Sequence, residues 1–310
     1  MSSHFAMMFP GQGSQALGML ADLAEAHGVV GETFAEASDA LGEDLWALAQ
    51  EGPEDALNRT ENTQPVLLAA SVAVYRAWIA AGGGAPVVAA GHSLGEYSAL
   101  VAAGALGLAD ATRLVRLRGQ AMQAAVPQGA GAMAAILGLD DADVERCCAE
   151  AAGEGTVSAA NYNAPGQVVI AGDAAAVDRA IEACKGAGAK RAMALAVSVP
   201  SHCALMQGAV EPLRDALAGV DLATPAFPVV HNVDATVADD ADGIRTRLVD
   251  QLHAPVRWTA CVAAMKDAGA TTLYECGPGK VLSGMIKRID RDLTAAALGS
   301  ADALGAALSA

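Results

Sequence analysis

The sequence predicts an α/β protein, a parallel-sheet domain with a smaller βαββαβ unit inserted into it. Three observations carry this reading. Short apolar runs alternate with helical patterns towards both ends of the chain, the rhythm of parallel strands joined by helices. In the middle the order becomes strand, helix, strand, strand, helix, strand, which is the ferredoxin-like unit. The composition also favours closely packed helices on a sheet: of 310 residues, 53 % are hydrophobic but only 4 % aromatic, and 33 are glycine.

Residues 5–9 form an apolar run ending in Pro10-Gly11, the pattern of a buried first strand. Residues 16–50 are mostly helical in pattern. An amphipathic helix is expected at 65–81, with Pro65 in its first turn and Gly82-Gly83-Gly84 at its end. A buried strand at 86–90 and a helix at 96–103 follow, then a helix at 108–123. The inserted unit takes strands at 132–138, 156–161, 167–171 and 189–197, with helices at 140–152 and 173–186. Pro165-Gly166 turns its central hairpin. Strands return at 227–232 and 271–275. The alanine-rich stretch after Leu293 is expected to be a weak helix or a frayed tail. The expected division is a discontinuous domain, 1–127 and 198–310, around a subdomain at 128–197.

Several function classes are disfavoured. The net charge of −16 argues against nucleic acid as the main partner. No segment reaches the roughly 18 apolar residues of a membrane span; the best, 97–109, is short, broken by Gly104 and bounded by Glu96 and Asp110. No basic-then-apolar leader opens the chain, so a cytoplasmic location is expected. Cys147, Cys148, Cys184, Cys203, Cys261 and Cys276 show neither C-x-x-C nor metal-ligand spacing. They read as reduced packing residues, and no metal is expected.

Gly91-His92-Ser93-Leu94-Gly95 fits G-x-S-x-G, which places a serine on a tight strand-to-helix turn. The five-residue pattern is weak alone. Its setting, after an apolar strand and before a helix, is the one the chemistry requires. Small flanking residues relieve a crowded backbone, and the Leu94 amide at the helix N-terminus can help hold an oxyanion.

A serine nucleophile needs a base. His202 lies in Ser198-Val199-Pro200-Ser201-His202, after a strand and before a helix starting near Ala204. Strand ends are where α/β sheets place catalytic groups. His231 and His253 compete with it, while His92 is expected to point to the opposite side of the turn. No Asp or Glu stands out as an orienting acid between Ser93 and His202; a backbone carbonyl or an amide could take that part.

Arg113 and Arg116 share a solvated helix face, whereas Arg118 falls on an apolar one, beside Leu114, Val115, Ala121 and Met122. Such a guanidinium either snorkels, pairs with a structural carboxylate, or grips a substrate carboxylate bidentately. Gly11-Gln12-Gly13-Ser14-Gln15-Ala16 also fits the looser dinucleotide fingerprint. That oxidoreductase reading lacks the second strand ending in an acid, because 32–50 reads as helix. The loop could instead place an amide donor, such as Gln12, beside the nucleophile.

Together these segments resemble the bacterial malonyl-CoA:acyl carrier protein transacylases. The likeness runs in order from Pro10-Gly11-Gln12-Gly13-Ser14-Gln15 through Gly91-His92-Ser93-Leu94-Gly95-Glu96-Tyr97-Ser98 and Arg118-Gly119-Gln120-Ala121-Met122-Gln123. It continues through Asn161-Tyr162-Asn163-Ala164-Pro165-Gly166-Gln167, Val199-Pro200-Ser201-His202, Gln251 before Pro255-Val256-Arg257-Trp258, and Gly277-Pro278-Gly279-Lys280. The resemblance implies a hydrolase-like α/β domain with a ferredoxin-like insert. It implies ping-pong transfer of malonyl from malonyl-CoA, through a Ser93 ester, to the phosphopantetheine thiol of acyl carrier protein, for fatty-acid synthesis and without a cofactor. By the same resemblance His202 is the base, an oxygen of Gln251 orients it, amides of Gln12 and Leu94 form the oxyanion hole, and Arg118 binds the malonyl carboxylate.

Acyl carrier protein is acidic, as this chain is, so a local basic rim is expected, drawn from Lys190, Arg191, Lys287 and Arg288. A monomer is expected. The rival readings are a malonyl-loading enzyme of polyketide synthesis and a serine thioesterase or esterase on the same fold, which would have no need of Arg118.

Overall fold

The computed structural model describes residues 4–197 and 199–310; Ser198, which opens the expected turn before His202, lies outside the described residues. The chain begins with β1 (Phe5–Phe9), α1 (Ala21–Ala26), α2 (Val29–Leu41), α3 (Leu45–Glu51), α4 (Glu54–Leu57) and α5 (Thr60–Ala80). Next come β2 (Val88–Gly91), α6 (Gly95–Ala102) and α7 (Leu108–Ala125). The middle runs β3 (Gly131–Leu137), α8 (Asp141–Ala151), β4 (Val157–Ala164), β5 (Gln167–Asp173), α9 (Ala174–Gly186) and β6 (Arg191–Ala194). A 3₁₀ segment at Ala204–Ala209 precedes α10 (Val210–Ala218), β7 (Val229–Val230), α11 (Ala241–Asp250) and α12 (Trp258–Asp267). The chain closes with β8 (Thr272–Glu275), α13 (Ser283–Ile289), β9 (Thr294–Ala297) and α14 (Ala301–Leu308).

Five strands form a parallel sheet in the order β7-β2-β1-β8-β9. A parallel sheet is covered on both faces, so its strands are apolar throughout. β1 shows why: Phe5, Met7 and Phe9 enter one core, and Ala6 and Met8 enter the other. The inserted unit is an antiparallel sheet in the order β4-β5-β3-β6. Its residues alternate with the pleat. Ala134, Ile136, Val168 and Ile170 pack with Val144 of α8 and Val177 of α9, while Met133 and Val169 face a cavity towards the larger sheet. Two main-chain bonds, Tyr162 N–H to Val256 O (2.9 Å) and Val256 N–H to Ala160 O (2.8 Å), tie the two units together beside that cavity.

Four stretches depart from expectation by more than a shifted strand end. The helix expected at 65–81 begins at Thr60, so Pro65 lies inside α5 rather than in its first turn. A proline there removes only the bond to the Glu61 carbonyl. α7 also crosses close by, since a Cβ on Gly119 would fall 2.6 Å from the Glu61 Cα. β6 spans Arg191–Ala194 rather than 189–197, although Leu195 N–H still bonds Met133 O at 2.9 Å. β7 is reduced to Val229–Val230, where Pro228 supplies no N–H and His231 leaves the sheet. The tail is neither frayed nor wholly helical: 294–297 pairs with β8 as an edge strand, because the ladder outweighs the weak strand preference of alanine.

Candidate active site

The parallel order brings the end of β2 beside the end of β1, and the turn between β2 and α6 carries Ser93. Its φ is +52°, a strained value for a side-chain-bearing residue. The two glycines of the pentapeptide are sterically required. A Cβ on Gly91 would lie 1.8 Å from the Gly95 carbonyl carbon, and one on Gly95 would lie 2.0 Å from the Phe9 oxygen. Asn232 holds the turn, accepting the Ser93 N–H at Oδ1 (2.7 Å) and donating from Nδ2 to Gly91 O (2.7 Å).

Ser93 Oγ lies 2.7 Å from His202 Nε2. The other ring nitrogen, Nδ1, lies 2.7 Å from the main-chain oxygen of Gln251. A carbonyl only accepts, so Nδ1 carries the proton and Nε2 is left to accept from the serine hydroxyl. This is the tautomer a general base needs. Burial, and then the positive charge of Arg118, push His202 down from 6.5 to about 3, so the ring is neutral.

Arg118 neither snorkels nor pairs with an acid. It is 1 % exposed. Its Nη1 donates to Gln64 Oε1 (2.8 Å) and its Nη2 to Gln251 Oε1 (2.9 Å), both neutral acceptors. Nη2 also stands 3.4 Å from Ser93 Oγ, and Nε has no hydrogen-bond partner among the described residues. The site is thus a buried cation with a spare donor beside a nucleophile, an arrangement that calls for an anionic ligand.

Gln251, at the end of α11 and fully buried, joins the pieces. Besides its carbonyl and Oε1, its Nε2 donates to Ser93 O (3.0 Å) and to Glu96 Oε2 (2.8 Å). Gln12 lines the same cavity from the loop after β1, with its side chain donating to Thr60 Oγ1 at 3.1 Å. Among the described residues the main-chain amides of Gln12 and Leu94 donate to no protein acceptor. One belongs to the residue after Ser93 and the other to the cavity's lining loop, and N–H groups left without a protein acceptor can serve a developing oxyanion.

The competing histidines are placed elsewhere. His231 is taken up by Glu96, Nδ1 to Oε1 at 2.7 Å, and His253 faces Asp250 at 4.0 Å. His92 does not point away from the cavity as expected. Its ring lines the cavity, with Nε2 2.8 Å from Asn163 Oδ1 and Trp258 packed against it; burial pushes its pKa down. Sequence reasoning did not single out Gln64, Glu96 or Asn232. Glu96 had a signal, as the one charged residue in α6.

The cavity measures about 210 Å³ and lies between the two sheets, with Ser93 and His202 at its polar end and Met133, Val169, Leu195 and Met285 along its flanks. Arg288 donates to Gln167 at its mouth. Gln167 and Arg191 both pair with Leu137, so they stand two strands apart on one row of the small sheet. Lys190, Arg191, Lys287 and Arg288 are all exposed. All six cysteines are buried and free. Among the described residues no cluster of His, Cys, Asp or Glu could hold a metal ion, and no helix is long and apolar enough to cross a membrane.

Residues 6–301 match the acyl transferase domain family. The malonyl CoA-acyl carrier protein transacylase of Escherichia coli K12 is 58 % identical over 306 residues, covering 99 % of both chains. The corresponding Bacillus subtilis transacylase is 44 % identical, covering 99 % of this chain and 96 % of its own. The crystal structure of the malonyl-CoA:acyl carrier protein transacylase of Xanthomonas oryzae pv. oryzae superposes with a TM-score of 0.98 at 58 % identity, over 99 % of this chain and 98 % of that one. A complex of a type II PKS acyl-carrier protein with its malonyl-transacylase gives the same score and identity over 99 % of each chain.

Proposed function

The chain belongs to the malonyl-CoA:acyl carrier protein transacylase family, and from that premise we propose that Ser93 carries the malonyl group as an ester between two thiols. The protein is an acyltransferase that moves malonyl to acyl carrier protein. The observation that carries the mechanism is the chain of contacts from Ser93 Oγ through His202 to the Gln251 carbonyl, with Arg118 beside it.

In the first half-reaction His202 Nε2 takes the Ser93 hydroxyl proton as Oγ attacks the thioester carbonyl of malonyl-CoA. The amides of Gln12 and Leu94 hold the oxyanion. Collapse breaks the carbon–sulfur bond, and the departing coenzyme A thiolate takes the proton from His202. In the second half the carrier protein's phosphopantetheine thiol gives its proton to His202 and attacks the malonyl-Ser93 ester. Collapse then returns the proton to Ser93. Arg118 binds the free carboxylate of the malonyl unit throughout. That carboxylate offsets the charge that depresses His202, so a malonyl substrate strengthens its own base. No step uses a metal or a cofactor.

The remaining assignments belong to the same proposal. Residues 1–127 and 198–310 form the catalytic domain and 128–197 the ferredoxin-like subdomain. The enzyme acts as a monomer in the cytoplasm. Lys190, Arg191, Lys287 and Arg288 dock the acidic carrier protein, supported by the contact of Arg288 with cavity-lining Gln167. Fatty-acid synthesis is the pathway served. The likeness to a transacylase bound to a type II PKS carrier protein makes loading of such a carrier the second reading.

Intact-protein mass spectrometry tests the core of this. Incubation with malonyl-CoA yields a single malonyl adduct that is absent in Ser93→Ala and is discharged by holo acyl carrier protein. An adduct that persists in Ser93→Ala, or equal labelling by acetyl-CoA, sinks the proposal. Fatty-acid and polyketide carrier proteins compared as acceptors separate the two pathways.

A further inference from the structure

We propose that Glu96 is a positioning residue for the reaction, holding nucleophile and base in register through Asn232 and Gln251. The inference rests on the assignment of Ser93 as nucleophile. α6 is otherwise uncharged, and Glu96 is fully buried within it. A carboxylate in such a place is retained only where its oxygens are filled. Three donors fill them: His231 Nδ1 (2.7 Å), the Asn232 N–H (2.9 Å) and Gln251 Nε2 (2.8 Å).

Each of the last two partners passes the constraint on to a reacting group. Asn232 uses Oδ1 to hold the Ser93 N–H and Nδ2 to hold the Gly91 carbonyl. Gln251 uses Nε2 on the Ser93 carbonyl, Oε1 on Arg118 and its main-chain oxygen on His202. Ser93 at φ +52° and His202 at φ +62° both occupy strained backbone positions. Such conformations persist only where the surroundings over-determine them. The Glu96 carboxylate is bonded to both sets of restraints, one following β7 and the other at the end of α11. It touches neither Ser93 Oγ nor His202.

The test measures the rate of Ser93 acylation by rapid quench and intact mass, at saturating and sub-saturating malonyl-CoA. Glu96→Ala is expected to slow acylation at saturation by about tenfold or more, since small misplacements of reacting groups are costly. The KM for malonyl-CoA should change much less than the rate at saturation, because Glu96 does not line the cavity. Glu96→Gln keeps an acceptor for Asn232 and Gln251 and turns its NH₂ to His231, so it should remain within about threefold of wild type. Glu96→Asp keeps the charge but is one carbon too short to reach all three donors, so it should fall below the Gln variant. That ordering decides the matter even where the Ala variant does not fold. A Gln variant slower than Asp assigns the effect to charge and overturns the proposal, as does an Ala variant with wild-type acylation. Because Glu96 also acts through Gln251, the double variant of Glu96→Ala with Asn232→Ala should be slower than either single one but lose less than the product of the two losses; fully multiplying losses also overturn the proposal. A wild-type protein that forms no Ser93 adduct refutes the nucleophile itself, a result distinct from all of these.

Discussion

Replacing Arg118 by methionine keeps a long buried side chain and removes the charge. In the structure Arg118 is 1 % exposed and its Nη2 stands 3.4 Å from Ser93 Oγ, so a malonyl carboxylate on that serine meets the guanidinium out of water. At about 4 Å and an effective dielectric constant of about 20, the attraction is roughly 4 kcal/mol. Truncating one partner of a buried, hydrogen-bonded charge pair costs about 2–5 kcal/mol. At about 1.4 kcal/mol per tenfold, malonyl transfer should lose from about 30-fold to several thousand-fold in kcat/KM. Acetyl-CoA brings no carboxylate. Its reaction leaves the cation unpaired in the wild-type protein, so acetyl labelling should hold steady or rise in the variant. The assay is the rate of adduct formation with each thioester, followed by intact mass, with thermal melting as a folding control. Equal losses for both substrates would refute the reasoning, because they would mean that Arg118 serves only to brace Gln64 and Gln251.

Other predictions follow from the same geometry. Gly91→Ala places a Cβ 1.8 Å from the Gly95 backbone and should cost roughly 3 kcal/mol or more of stability, read by chemical denaturation; a wild-type midpoint contradicts the steric account of the elbow. Arg118→Gln removes the cation that disfavours the imidazolium, so the acid limb of kcat/KM for acetyl-CoA should move upward in pH from its wild-type position; no movement, or a downward one, refutes the coupling. The native protein should also lose stability as pH falls from 6.5 towards 3, because over that window the unfolded chain takes up a proton that buried His202 does not; a flat denaturation midpoint there would argue against the depressed value. Charge reversal at Lys287 and Arg288 should raise the KM for acyl carrier protein, more so at low salt, and leave malonyl loading of Ser93 intact. An unchanged KM removes these two from the rim.

Much of the site was legible because chemistry forces unusual residues into usual patterns. A serine between two glycines, after an apolar strand, marks a turn too tight for any other spacing. Arginine on an apolar helix stripe marks a charge awaiting a partner. The order of strands around the insert came from periodicity, which sheet pairing obeys closely in the middle of the chain. Element ends were less legible. The run at 294–297 reads as helix until β8 offers it a ladder, and α5 starts before Pro65, with α7 packed against its first turn.

The division of labour among histidines shows the same boundary. His202 and His231 both follow strand positions, and local sequence treats them alike. Folding gives His231 to Glu96 and sets His202 against Ser93, a choice made by residues far apart in the chain. The orienting group is a main-chain oxygen of Gln251, and every residue has one, so no side-chain pattern could mark it. By itself the sequence marked the residues of special character: a serine on a crowded turn, an arginine on an apolar helix face and histidines near strand ends. Only the tertiary structure decided which of them meet, because hydrogen bonds at 2.7 Å depend on where distant segments pack rather than on what those segments are.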